Sequence, residues 1–171
     1  MKKRTRDILE IVAYVFLGYL IAVGANKGLA FAMDTNYPVV AVVSSSMEHH
    51  EEVTYKTWFL DRKYDAEEMG KWPFEGGINK GDIVFVKGLE KDEVKLGDVI
   101  VYKFQTTEPI IHRVIKEEDG TLQTKGDNNM DVDQDDSIPP IKSEDLQGRA
   151  LFRVPFLGYV KIAFMKIMGG L

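Results

Sequence analysis

The sequence predicts a mainly β architecture: a β-domain behind an N-terminal transmembrane helix, with a small helix-containing insertion. Three observations predict the β-domain, the anchor and the insertion. Residues 8–33 form an apolar run broken only by Glu10, Asn26, Lys27 and three glycines, directly after the basic cluster Lys2, Lys3, Arg4 and Arg6. From residue 38 to residue 154, short runs rich in β-branched residues recur between turn signals. Residues 48–79 interrupt that texture with polar and aromatic side chains, both tryptophans among them.

The apolar run is long enough to span a bilayer, which takes ~20 mostly apolar residues, if Lys27 snorkels. Positive charge before the run and little after it keeps the N-terminus cytoplasmic and exports the chain beyond Met33. A cleavable signal peptide ending at Ala30-Phe31-Ala32 is the rival reading, and a buried core helix the third. The flanking charge favours the anchor.

Pro38 opens Val39–Val43, a strand that ends at Ser44-Ser45-Ser46-Met47. In the insertion, Asp65-Ala66-Glu67-Glu68 resembles a capping box and predicts a short helix before Pro73 and Gly76-Gly77. Gly81-Asp82-Ile83-Val84-Phe85-Val86 and Gly97-Asp98-Val99-Ile100-Val101-Tyr102 each pair a turn signal with a strand. Residues 110–116 and 121–124 flank Asp119-Gly120 as a hairpin, and 149–154 make a further strand. Residues 155–171 form an apolar tail suited to an interfacial helix or a core helix. The resulting organisation is a tail and anchor (1–33), a β-domain (34–154, insertion about 48–79) and the tail (155–171).

Charge limits the function. The chain has 171 residues, 22 Lys/Arg against 27 Asp/Glu, a net charge of −5, and no cysteine. Residues 1–33 hold five cations against Asp7 and Glu10, a net +3, so the remainder carries −8. Such a domain does not suit nucleic acid, which requires a basic face. Without cysteine there is no disulfide, thiolate nucleophile or Cys-type zinc site.

Three histidines narrow the search for a base. His49 and His50 diverge on either a strand or a helix and read as solvent-exposed loop residues. His112 shares a strand face with Ile110 and Val114. A hydrogen-bonded core histidine is the plain reading, but a serine cluster (44–46) and a loop rich in aspartate (127, 131, 133, 135, 136) offer it company. Serine becomes nucleophilic when a neighbouring imidazole takes its proton, and a carboxylate on the other ring nitrogen fixes the tautomer. Asp127-x-Asn129-x-Asp131 begins like a calcium loop, but Val132 and Ile138 stand where its glycine and bidentate glutamate belong.

Four segments, in order, carry a resemblance: Ser44-Ser45-Ser46-Met47-Glu48, Lys80-Gly81-Asp82-Ile83-Val84, Ile111-His112-Arg113-Val114 and Thr124-Lys125-Gly126-Asp127-Asn128-Asn129. Together they resemble the boxes of type I signal peptidase, peptidase family S26. Histidine in place of the bacterial lysine is similar to the archaeal and endoplasmic-reticulum branch. The resemblance runs from the anchor to about Val160 and is weaker over 48–79.

The resemblance implies a membrane-bound serine endopeptidase that removes signal peptides from exported preproteins after small-x-small sites. Ser46 would be the nucleophile, His112 the general base, Asp133 its partner and Asp127 a supporting neighbour. The Ser46 N–H and the Ser44 hydroxyl would serve the oxyanion. Asp131, Asp135 and Asp136 match no role and read as solvated. Two positions depart from the family: Ser45 stands where glycine is common, and His49 where proline is common. The implied partners are preprotein signal peptides and membrane lipid, with the need for accessory subunits left open; no cofactor or metal is implied. Trp58, Trp72 and the tail would seat the domain at the headgroup layer, or else pack the insertion onto the β-core. Two rivals remain. The soluble SOS-repressor autoproteases share the serine chemistry but use lysine and lack an anchor. A membrane-anchored or secreted non-catalytic β-domain would bind a partner or calcium.

Overall fold

The computed structural model describes residues 3–49, 52–104, 108–118, 121–134 and 138–168, with the backbone alone at 52–54. His50, the Asp119-Gly120 turn, Asp135 and Asp136 lie outside the described residues.

Helix α1, Lys3–Ala32, is 30 residues long and buries none of them. At ~1.5 Å per residue it reaches about 45 Å, more than the ~30 Å of a hydrocarbon core. Its length and composition suit a membrane span, and the lack of any buried residue along it overturns the buried-core-helix reading. The chain leaving it is tied to the domain. The Met33 carbonyl accepts from the Gly88 N–H at 2.7 Å, and the Thr35 hydroxyl donates to the Gln147 carbonyl at 2.6 Å.

Six strands form one antiparallel sheet: β1 Val39–Ala41, β2 Ile83–Lys87, β3 Val99–Tyr102, β4 Ile110–Glu118, β5 Thr121–Lys125 and β6 Leu146–Val154. Their order is β1-β2-β6-β3-β4-β5, so the last strand joins the β1–β2 pair to the β3–β4–β5 meander. β1 stops two residues earlier than the sequence predicts, although Val42 still exchanges hydrogen bonds with the Gly81-Asp82 turn. β6 begins three residues earlier than expected. One face of the sheet packs Val40, Val84, Val86, Val99, Val101 and Ile111. The other packs Ile100, Tyr102, Val114 and Leu122 with Val94 and Ile141. Strand alternation explains the division.

The insertion holds two helices where the capping box predicts one. α3, Ala66–Met69, starts as predicted, with the Asp65 carboxylate accepting from the Glu68 N–H at 2.9 Å. α2, Glu52–Asp61, places Tyr55, Trp58 and Phe59 on one helical face. These pack with Met69, Trp72 and Ile115 as an aromatic core. Trp58 and Trp72 are each 7% exposed. They fasten the insertion to the β-core, the second of the two roles the sequence offers for them, rather than reaching outward to lipid headgroups. The tail forms α4, Tyr159–Ile167, and leaves Phe156, Val160, Phe164 and Ile167 exposed.

Candidate active site

The turn after β1 carries Ser46 to the face of β4 occupied by His112. The turn is held by the loop after β5: Asn128 N–H donates to the Ser46 carbonyl at 2.8 Å, and the Asn128 amide to the Ser45 carbonyl at 3.2 Å. Gly126 permits this approach, since a Cβ there would lie 2.8 Å from the Ser46 carbonyl oxygen.

His112 Nε2 is 3.1 Å from Ser46 Oγ, and its Nδ1 is 2.5 Å from Asp133 Oδ2. A carboxylate only accepts, so the imidazole proton sits on Nδ1 and Nε2 is left to accept from the Ser46 hydroxyl. Asp133 Oδ2 also accepts from the Thr124 hydroxyl at 2.7 Å and the Tyr102 hydroxyl at 3.1 Å. Three donors on one oxygen fix the carboxylate's direction. Burial, with Asp133 beside it, raises the Tyr102 phenol far above its ordinary value, so it stays a neutral donor. Ser44 Oγ lies 3.1 Å from Ser46 Oγ. With the Ser46 proton directed at His112, the Ser44 hydroxyl is the donor of that pair.

Asp127 does not join this group. Its carboxylate receives Arg113 in a two-pronged contact, Nε to Oδ1 at 2.8 Å and Nη2 to Oδ2 at 2.7 Å. Both side chains are fully buried. Burial opposes ionisation of Asp127, yet Arg113 and His49 hold it below the usual carboxylate range. Burial likewise opposes the Arg113 charge, and Asp127 outweighs it. Arg113 Nη1 also donates to the Pro73 and Gly97 carbonyls, at 2.9 and 2.8 Å.

His49, expected in a solvent-exposed loop, has a side chain only 7% exposed. It reaches Asp127 because that carboxylate is buried beside it and Tyr55 of the insertion covers its ring. Asp131 is exposed, as expected. Lys125 is fully buried, donating to the Gly126, Asp127 and Asn129 carbonyls at 2.7, 3.2 and 2.8 Å beneath the Trp58 ring. Burial lowers its ammonium to about 8.

A cleft of about 290 Å³ opens at Ser46 and His112, walled by Val40, Val42, Val43, Met47, Ile78 and Ile111. A larger groove of about 870 Å³ lies against the insertion and includes neither residue.

No family model matches the chain. It is 31% identical over 170 residues to the signal peptidase complex catalytic subunit SEC11 of Zygosaccharomyces rouxii, across 90% of this chain and 83% of that one. The chain belongs to the SEC11 family. It is also 29% identical over 145 residues to sec11 of Sclerotinia sclerotiorum, across 80% of this chain and 69% of that one. With human SEC11C the identity is 28% over 145 residues, across 80% of this chain and 62% of the human one.

Within this SEC11-family chain, sequence reasoning missed Arg113, His49, Lys125, Tyr102 and Thr124 as parts of the site. Arg113 and Lys125 carried a usable signal. Each is a cation in an otherwise apolar or tightly turned strand segment, and a cation placed there needs a nearby anion or carbonyl cage. Tyr102 and Thr124 carried none, because their roles depend on the sheet register that sets Val114 opposite Thr124 and Tyr102 opposite Ile110.

Proposed function

We propose that this chain is a membrane-bound serine endopeptidase that removes signal peptides from exported preproteins. The observation that carries the residue assignment is the continuous path from Ser46 Oγ through His112 to Asp133. Ser46 Oγ attacks the scissile carbonyl while its proton passes to His112 Nε2. The collapsing intermediate returns that proton to the leaving amine and leaves an ester on Ser46. Water, deprotonated by His112, then hydrolyses the ester and restores Ser46. Asp133 stabilises the imidazolium formed in both halves. The Ser46 N–H and the Ser44 hydroxyl serve the oxyanion; Ser44 already faces Ser46 and needs only a rotation about its side-chain bond. Asp127 acts at a distance, as the anchor of the loop that presents Asp133.

The cleft's branched and bulky aliphatic walls, Met47, Ile78 and Ile111 among them, exclude large side chains, which supports cleavage after small-x-small sequences. β1 is at the sheet edge, where an extended peptide can add as a further strand. In this reading residues 1–33 are a cytoplasmic tail and anchor, and 34–154 the extracytoplasmic catalytic domain with its insertion at about 48–79. The 155–171 tail lies on lipid through the exposed apolar side of α4. The relatives are subunits of a signal peptidase complex, and by analogy accessory subunits are partners of this chain.

The test is cleavage of a preprotein whose signal ends in Ala-x-Ala by the full chain in detergent. A product whose new N-terminus directly follows that alanine supports the reading. If no product forms even after native membrane extract is added, the proteolytic reading fails.

A further inference from the structure

The His49 ring makes two hydrogen bonds, and both partners are acceptors. Nδ1 lies 2.8 Å from the Glu75 backbone carbonyl oxygen, and Nε2 lies 2.8 Å from Asp127 Oδ2. A neutral imidazole has one N–H and would set a bare nitrogen lone pair against one of these oxygens. Protonating Asp127 instead is disfavoured, because Arg113 grips the same carboxylate with two N–H groups. The ring also stacks on Tyr55, with centroids 4.1 Å apart and planes 23° apart, an arrangement that suits a cation. Among the described residues, the charged and titratable groups around it are Tyr55 and Lys56 on α2, Glu75, Asp127, and Arg113 beyond Asp127, with Glu48 next to it in the chain and turned to the Lys80 N–H.

We propose that His49 is a doubly protonated positioning residue that straps the Ser46 turn to the aspartate loop and to the loop before Ile78. His49 lies three residues after the nucleophile, and Asp127 six residues before the partner of His112. A strap between them fixes the distance between the two ends of the Ser46–His112–Asp133 path. The packing is arranged around it. Gly77 has φ +70°, and a Cβ there would lie 2.7 Å from the Met47 carbonyl oxygen and 2.9 Å from His49 Cδ2. The Asp127 N–H meets Met47 Sδ at 3.4 Å, and the Ile78 N–H donates to the Met47 carbonyl at 2.8 Å.

The positioning role rests on the proteolytic reading; the charge state does not, and the experiment separates them. The full chain, labelled with ¹⁵N-histidine in detergent, is examined by two-bond ¹H–¹⁵N correlation at the pH of the cleavage assay. His50→Gln and His112→Ala variants identify the other two rings, so assignment does not depend on a His49 variant folding. The expected result is an imidazolium pattern for His49, with both nitrogens protonated, while His112 shows one protonated and one bare nitrogen. A bare nitrogen on His49 overturns the proposal whatever the activity. In the cleavage assay, His49→Phe, which keeps the stack on Tyr55 but donates nothing, lowers kcat about tenfold or more with KM unchanged. A smaller fall, or one carried by KM, overturns the positioning role. Wild-type and Ser46→Ala protein run alongside show whether the proteolytic reading itself stands.

Discussion

His112 and Arg113 are neighbours on β4 yet serve different aspartates: His112 Nδ1 meets Asp133 at 2.5 Å, and Arg113 Nη2 meets Asp127 at 2.7 Å. Successive strand residues leave opposite faces, so one dipeptide supplies both the Ser46–His112–Asp133 path and the buried ion pair that holds the aspartate loop. The two aspartates therefore differ in what they support.

That difference predicts opposite phenotypes. Asp133→Asn leaves stability nearly unchanged and lowers kcat by about 10³–10⁴, because an amide stabilises the wrong His112 tautomer. Asp127→Asn leaves Arg113 and His49 without their anion and destabilises the fold by about 3–5 kcal/mol. Denaturant melts and turnover of the two variants check this; equal stability losses would contradict it.

Asp127 also sets an acid limit. Its carboxyl is held below the usual range in the folded chain, so its stabilisation is complete above the unfolded value of ~3.9 and is lost as pH falls below that. Wild type loses stability steeply in this window, and Asp127→Asn loses less. Parallel acid melting curves would exclude Asp127 as the cause.

Lys125 acts at the other end of the scale. Its folded value is about 8, against ~10.4 unfolded. Between the two the unfolded chain binds more protons, so this group makes stability rise with pH. Burial raises Tyr55 to about 12, so it works in the opposite direction only above ~10. Denaturant midpoints of wild type relative to Lys125→Met, taken from pH 8 to 10, should climb; a flat difference would contradict the buried ammonium.

The tryptophans offer an optical check on the insertion. Trp58 and Trp72 are 7% exposed in an aromatic core, and the Trp58 indole donates to the Met130 carbonyl at 2.9 Å. Their emission should be blue-shifted in detergent and unmoved by lipid vesicles. A further shift on adding vesicles would return them to the bilayer surface.

The strands were legible where β-branched runs met turn residues, as at 83–87 and 99–102, because local pattern and burial agree there. The N-cap at Asp65 was legible for the same reason. α2 was not: Tyr55, Trp58 and Phe59 have helical spacing, but polar neighbours conceal an apolar face that Met69, Trp72 and Ile115 complete. His112 was visible as a candidate base from its strand, and Ser46, Asp127 and Asp133 were candidates through what the resemblance implies. His49 and Arg113 escaped notice because their meaning comes from a carboxylate 78 and 14 residues away. A charged side chain in sequence reads as solvated until the fold brings its partner.

The most direct measurement compares wild type with Ser46→Ala on one preprotein, in detergent with native membrane extract prepared without endogenous signal peptidase activity. Wild type should cleave after the small-x-small site and Ser46→Ala should not, with the same melting temperature for both. Equal cleavage by Ser46→Ala would contradict the assignment, because no step of the mechanism survives without that hydroxyl.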